Sequence, residues 1–307
     1  MMKRRERGVA LVLVLWVITL LTVIAGNFAF SMRSEARIAA NLLQNAQAQA
    51  HADAGVQLAW FQLMKPIGSP GRWEANGAVH EFMHDGLAVK VSIQDESGKI
   101  DLNVAPEELL KGLLKSAGLD DQASALLTAA TLDWRTPGSL KRLNGAKEED
   151  YRAAGKNYGP PNAPFETIDE LQRVLGMTPE LYRKIAPALT IYSRQPAVNT
   201  SVAPLEVLLA IPGVNLAMVE QFMLRRQEAI AAGQPILPLA GAGAVSSGSG
   251  GLAAYLVRSE VVIPGGASFV RQVIGRPSPD PKNPVQVFAW GEGDAPTVAL
   301  NNTTAKN

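Results

Sequence analysis

The sequence predicts an α/β protein. One long N-terminal helix, transmembrane at first and amphipathic after, packs on an antiparallel sheet that is interrupted by a large all-α insertion. Three observations predict this. No charged residue stands between Gly8 and Arg33, and the run 9–30 supplies the roughly 20 apolar residues that cross a bilayer core as a helix. The segment 31–65 continues it with no Pro and a single Gly. Strand-like alternation then lies on both sides of a block of short helices punctuated by Pro and Gly.

The first element carries a signal of its own. Lys3, Arg4, Arg5 and Arg7 precede the apolar run, so the positive-inside rule leaves the short N-terminus in the cytoplasm and everything after Phe30 beyond the membrane. Three readings compete. A cleaved secretory signal has a shorter apolar region followed by a small-residue site, for which Val23-Ile24-Ala25 would serve. A plain signal anchor is the second. The third rests on Gly8, which lies between the basic leader and the apolar run rather than beyond it. That arrangement resembles a type IV prepilin leader, cut between Gly8 and Val9 so that the apolar helix stays on the mature chain.

The segment 31–65 supports the third reading, because a removed signal has no need to continue as an amphipathic helix. Ile38, Leu42, Ala46, Ala50, Ala54, Leu58 and Phe61 recur at about four-residue spacing and are expected to form the buried face. Arg33, Glu35, Arg37, Gln44, Gln47 and Asp53 are expected opposite. The two halves make one helix from about Val9 to Met64, on the order of 80 Å long, which Pro66 and Gly68 stop.

Next come a strand over 78–83 and the hairpin signal Asp85-Gly86. Leu87, Val89, Val91 and Ile93 then alternate with Ala88, Lys90, Ser92 and Gln94, the period of a strand with one buried face. Helices are expected after Pro106 and over 123–134, 167–175, 179–192, 204–209 and 216–230. The stretches Ile100-Asp101-Leu102-Asn103-Val104-Ala105-Pro106 and Val198-Asn199-Thr200-Ser201-Val202-Ala203-Pro204 resemble each other, as a repeated helical module would. Residues 240–251 are Gly, Ala and Ser almost throughout, a flexible loop. Strands resume over 255–263, 269–274 and 285–290. The expected division is therefore a leader at 1–8, a span at 9–30, and helix plus first strands at 31–102. An inserted helical domain at 103–239, the loop at 240–251, the returning strands at 252–295 and a tail at 296–307 complete it.

Composition excludes several function classes. The 307 residues carry a net charge of +1, so no global charge steers the chain to nucleic acid. There is no Cys, hence no disulfide or thiol chemistry. Of the three histidines, His80 and His84 form His80-Glu81-Phe82-Met83-His84, which matches the zinc-protease pattern if it is helical. The hairpin signal argues instead for a strand, where residues four apart stand about 13 Å from each other. Ile211-Pro212-Gly213-Val214 between two helices looks like a helix-hairpin-helix turn, as in SAM-like modules. Between 196 and 239 only Arg225 and Arg226 are basic, against Glu206, Glu220 and Glu228. No basic footprint for nucleic acid exists there, and the turn reads as packing. No paired-carboxylate, Ser/His/Asp or phosphate-loop constellation stands out, so the chain reads as a non-enzymatic assembly component. A membrane-anchored DNA-uptake receptor is the alternative that an anchor plus a helix-hairpin-helix turn would suit.

Four groups of residues carry a resemblance to a known family. They are Gly8 with Val9-Ala10-Leu11; Asp95-Glu96-Ser97-Gly98-Lys99-Ile100-Asp101-Leu102-Asn103; Asp133-Trp134-Arg135 with Asn144-Gly145-Ala146, Tyr151 and Asn162-Ala163-Pro164-Phe165; and Glu170-Leu171 with Gly176-Met177-Thr178-Pro179-Glu180-Leu181-Tyr182 and Leu189-Thr190-Ile191-Tyr192. In this order, over nearly the whole chain, they resemble the minor pseudopilin K of type II secretion systems, the general secretion pathway protein K family. The resemblance implies a pseudopilin fold with an inserted α-domain, cleavage after Gly8 by prepilin peptidase and N-methylation of Val9. It also implies inner-membrane residence with a periplasmic globular domain, and a place at the pseudopilus tip with minor pseudopilins I and J, within reach of secreted substrate or the secretin.

Relatives bind calcium in the helical region, which makes Glu148, Glu149 and Asp150 the candidate ligands here. Two departures bear on that. Thr136, Pro137 and Gly138 stand where the family is more acidic, and Lys147 interrupts the acidic stretch. A third departure concerns assembly. Most pilin-like proteins carry Glu at the fifth mature residue, whereas counting from Val9 places Leu13 there.

Overall fold

The computed structural model describes residues 7–66, 68–234, 236–243, 246–247, 254–264 and 268–293, with side chains from residue 10 onward except at 246–247. The expected leader therefore lies largely outside the described residues, and the expected tail wholly so. Helix α1 spans Arg7–Met64 without a break. The hairpin follows as β1 (Asn76–His84) and β2 (Leu87–Asp95). Asp85 and Gly86 between them have φ of 48° and 82°, the double positive φ of a two-residue turn that matches strand twist. In the inserted block come β3 (Ile100–Asp101), α2 (Glu107–Ser116), α3 (Asp121–Arg135), α4 (Glu148–Ala153), α5 (Pro179–Ile185), β4 (Leu189–Thr190), β5 (Val198–Asn199), α6 (Leu205–Ala210) and α7 (Leu216–Ala231). After β6 (Ser246–Ser247), the chain returns as β7 (Tyr255–Val262), β8 (Ser268–Pro277) and β9 (Val285–Glu292).

The sheet is antiparallel, in the order β1-β2-β7-β8-β9. Neighbours β2 and β7 are thus joined through the whole inserted block. Val89, Val91 and Ile93 on β2, Val257 and Val261 on β7 and Val273 on β8 turn one face toward α1, where Ala48, Ala52, Val56, Ala59, Trp60 and Leu63 complete the core. Asp53 adds an ion pair to Arg271 on β8 at 2.5 Å, and the Arg271 guanidinium also lies over Phe269 and Trp290.

The buried face of α1 is not the expected one. Ala46, Ala50 and Phe61 are exposed, while Asp53, expected on the solvent side, meets the sheet. A four-residue step advances about 40° round the helix, so the five such steps from Ile38 to Leu58 wind the row about 200°. Small residues choose the seam instead. A Cβ on Gly55 would stand 2.2 Å from Ser259 Oγ and 2.9 Å from Val89 Cγ1, so helix and sheet approach this closely only without one.

The block between the central strands is built of short helices, two-residue strands and connecting loops rather than of helices alone. β3 pairs in parallel with β4, and β5 with β6; β6 falls within the stretch expected to be a loop, half of which lies outside the described residues. The expected helix over 167–175 is a 3-10 turn at 168–173. That over 179–192 ends at Ile185, with a 3-10 turn at 186–188 before β4, because Pro187 has no N–H to continue the ladder. Helix α4, which the acidic run concealed, starts with the Asp150 carboxylate accepting from Lys147 N at 2.9 Å, a cap that satisfies an otherwise orphaned donor.

The two similar stretches have equivalent geometry. Each is a two-residue strand, a turn, a Pro at the helix cap (Pro106 or Pro204) and a short helix. Each turn is tied by one half-buried arginine: Arg135 donates to the carbonyls of Leu102 and Ala105, and Arg226 to those of Thr200 and Ala203. Burial pulls both guanidinium groups below their ordinary pKa, the cost expected when an arginine leaves water to serve backbone acceptors.

Candidate functional site

Three features gather the residues that the sequence singled out. The first is the free surface of α1. Leu11, Leu13, Leu15, Trp16, Leu20, Leu21, Ile24 and Phe28 are each more than half exposed, and so are Ile38, Leu42 and Phe61 further along. Among the described residues this is the one helix long and apolar enough to cross a membrane. An apolar surface of this extent marks a membrane or protein interface. Gly8 and Val9 lie in its first turns, and Leu13 is 62% exposed one turn further on.

The second feature is the junction between sheet and inserted block, built by the segment 95–103. The Asp95 carboxylate accepts from Ser97 N at 2.8 Å and caps a 3-10 turn; burial raises its pKa and the Ser97 bonds oppose the rise. Glu96, 1% exposed, is neutralised by Lys99 at 2.7 Å. A buried charge needs such a partner. Asp101 accepts from Asn103 N, Ser193 Oγ and Arg194 N, and Gln94 reaches across to Val202 O at 2.9 Å. These residues hold the block on the sheet rather than perform chemistry.

The third feature is the core of the block, where the remaining motif residues meet. Asn103 brackets Phe165, donating to its carbonyl at 3.0 Å and accepting from its N–H at 2.7 Å. Phe165 stacks on Trp134 with centroids 6.1 Å apart, and Trp134 Nε1 donates to Glu170. The Tyr151 hydroxyl accepts from Leu175 N at 3.0 Å, and burial pushes its pKa up to about 12. The Tyr182 hydroxyl donates to Asp169 at 2.6 Å.

Glu148, Glu149 and Asp150, expected as calcium ligands, do not fit the ion. They are successive residues at the start of α4 and point in different directions. Asp150 is occupied by Lys141 at 2.7 Å, which holds its carboxyl below the usual carboxylate range, and Glu148 pairs with Arg152. Calcium takes six to eight oxygens, and among the described residues no group of three or more His, Asp or Glu side chains is placed to hold a metal.

The other motifs have structural uses. His80 and His84 lie on a strand, and they part company. His80 stacks on Trp73 with centroids 4.5 Å apart, and burial lowers its pKa. His84 meets His51 of α1, Nδ1 to Nδ1, at 2.7 Å. The turn 211–214 links α6 to α7 with Ile211, Val219 and Phe222 buried beneath it, and Arg226 is turned inward as described.

A long helix, free and apolar through its first half and packed through its second on an antiparallel sheet, defines the pilin-like class of membrane-anchored assembly subunits. The profile of a family described as type II secretion system (T2SS), protein K matches residues 89–197. Type II secretion system protein K of Klebsiella pneumoniae is 28% identical over an alignment covering 74% of this chain and 77% of its own length. That of Pseudomonas aeruginosa is 25% identical, covering 72% and 73%. The fold is shared with a chain of the GspK-GspI-GspJ complex from the enterotoxigenic Escherichia coli type 2 secretion system, at a TM-score of 0.56, 16% identity and coverage of 86% of this chain and 99% of that one. The profile, these relatives and the shared fold support type II secretion protein K: a minor pseudopilin, a structural component and not an enzyme.

Proposed function

We propose that this minor pseudopilin occupies the tip of the pseudopilus, where it helps initiate and cap assembly for export of folded proteins across the outer membrane. The observation that carries the reading is Leu13. An ionised carboxylate inside a bilayer is costly unless paired. In filament relatives the partner of the fifth-residue Glu is the amino terminus of the subunit docked above. A first-placed subunit has none above it, so a Glu would remain buried and unpaired. An apolar Leu13 is what that place requires.

The rest of the proposal follows from the helix. Prepilin peptidase cuts between Gly8 and Val9, Val9 is then N-methylated, and 9–30 anchors the chain in the inner membrane in a single pass. The N-terminus faces the cytoplasm, and the sheet with its inserted block faces the periplasm. The exposed side chains of Ile38 and Leu42 on α1 offer a second contact face beyond the apolar span. The solved neighbour is a complex of proteins K, I and J, and we assign minor pseudopilins I and J of the same system as the partners here. Secreted substrate or the secretin would meet the distal surface. Leu13→Glu tests the tip assignment. It should cut secretion at least about tenfold, the scale of an unpaired carboxylate at this depth, while export to the membrane and removal of residues 1–8 proceed. Unchanged secretion would count against it.

A further inference from the structure

The failed fit to calcium has a counterpart in the same corner of the fold. Helix α3 ends because Pro137 has no N–H, which leaves the Asp133 carbonyl without its helical donor. Lys147 supplies one. Its side chain is folded inward with the residue 6% exposed, and Nζ donates to Asp133 O at 2.7 Å, Thr136 O at 3.0 Å and Asn162 Oδ1 at 2.6 Å. The three ammonium hydrogens are thereby matched to three oxygens. Two of these are main-chain carbonyls at the negative end of the α3 dipole, where a cation is favoured. The Asp133 carboxylate, on a fully buried residue, lies beside them and is held by Arg142 N at 3.2 Å. Burial lowers the Lys147 pKa, and the Asp133 charge opposes the shift.

We propose that Lys147 is a tethered cation: its ammonium gathers the α3 terminus and the Asn162 loop around one point, as a bound metal ion would, and so frees the inserted block of this chain from any need for calcium. The three oxygens it binds are all neutral carbonyls, which suit a single positive charge. Carbonyls and one nearby carboxylate give a divalent ion less than the several carboxylates it prefers.

The experiment uses the full chain in detergent micelles, followed by thermal melting. The wild type should melt at the same temperature, within about 1 °C, in EDTA and in millimolar calcium chloride, given that bound ligand would raise it by mass action. Lys147→Met keeps the stem and removes the charge, and should lower the melting temperature by about 5 °C or more. Lys147→Ala opens the space, and propylammonium should raise its melting temperature more than tetramethylammonium does, with no such difference in the wild type. A wild type that loses stability in EDTA or gains it in calcium overturns the proposal. So does a Lys147→Met chain that melts like the wild type, or a Lys147→Ala chain indifferent to the amine. If both variants fail to fold, the chelator and calcium comparison on the wild type decides.

Discussion

Gly8→Leu is expected to leave the full-length chain in the membrane fraction and to abolish its part in secretion. Gly8 separates four basic residues from a run without charge, so in the proposed orientation the basic side chains would hold the bond between Gly8 and Val9 at the cytoplasmic surface. A leucine at that point extends the apolar run by one residue and puts a branched side chain where the leader has none. Helix α1 begins at Arg7 in the intact chain, so the substitution does not disturb the fold beyond the membrane. Intact-mass measurement reads the outcome. The wild type should lack residues 1–8 and carry one added methyl group, and the variant should retain residues 1–8 unmodified. Normal maturation of the variant would sink the prepilin reading and leave a plain anchor.

The largest effect on stability is expected from Gly112→Ala. Gly112 lies inside α2, where alanine ordinarily stabilises a helix by roughly 1 kcal/mol relative to glycine. Here the sign reverses. A Cβ at this position would stand 1.9 Å from the Ala210 carbonyl oxygen and 2.9 Å from its carbon, and this obstacle is backbone rather than a side chain that can swing away. Helices α2 and α6 would have to separate, opening the core formed by Leu109, Leu110, Leu113, Val207 and Leu208. A loss of about 2–4 kcal/mol is expected after the propensity gain is offset, or roughly 5–15 °C in melting temperature. Gly26→Ala is the control: nothing lies within 4 Å of its Cβ, and it should not lower the melting temperature. Equal behaviour of the two variants would contradict the packing described.

Much of the fold was legible because its signals are local. The charge-free run, the absence of a breaker before Pro66, the Asp85-Gly86 turn and the alternation of Val89, Val91 and Ile93 each act within a few residues. The face of α1 was not legible, since Ala48, Ala52 and Gly55 are chosen by how closely the sheet approaches and not by hydrophobicity. The two-residue strands at 100–101 and 189–190 carry no period to read. The repeat was visible at 100–106 and 198–204. Its anchors Arg135 and Arg226 were not, because they stand at different distances down the chain from the turns they tie. Lys147 was noticed only as an interruption of an acidic run. The signal that could have found its role was Pro137, which leaves a helix-end carbonyl in want of a donor.

The central claim is placement at one end of the pseudopilus. It is tested most directly by labelling an epitope on the exposed turn 278–283, between β8 and β9, and imaging assembled pseudopili by electron microscopy. The account predicts a single label at one end of each filament and none along the shaft. Label distributed along the shaft would contradict the tip assignment, whatever the fate of the leader.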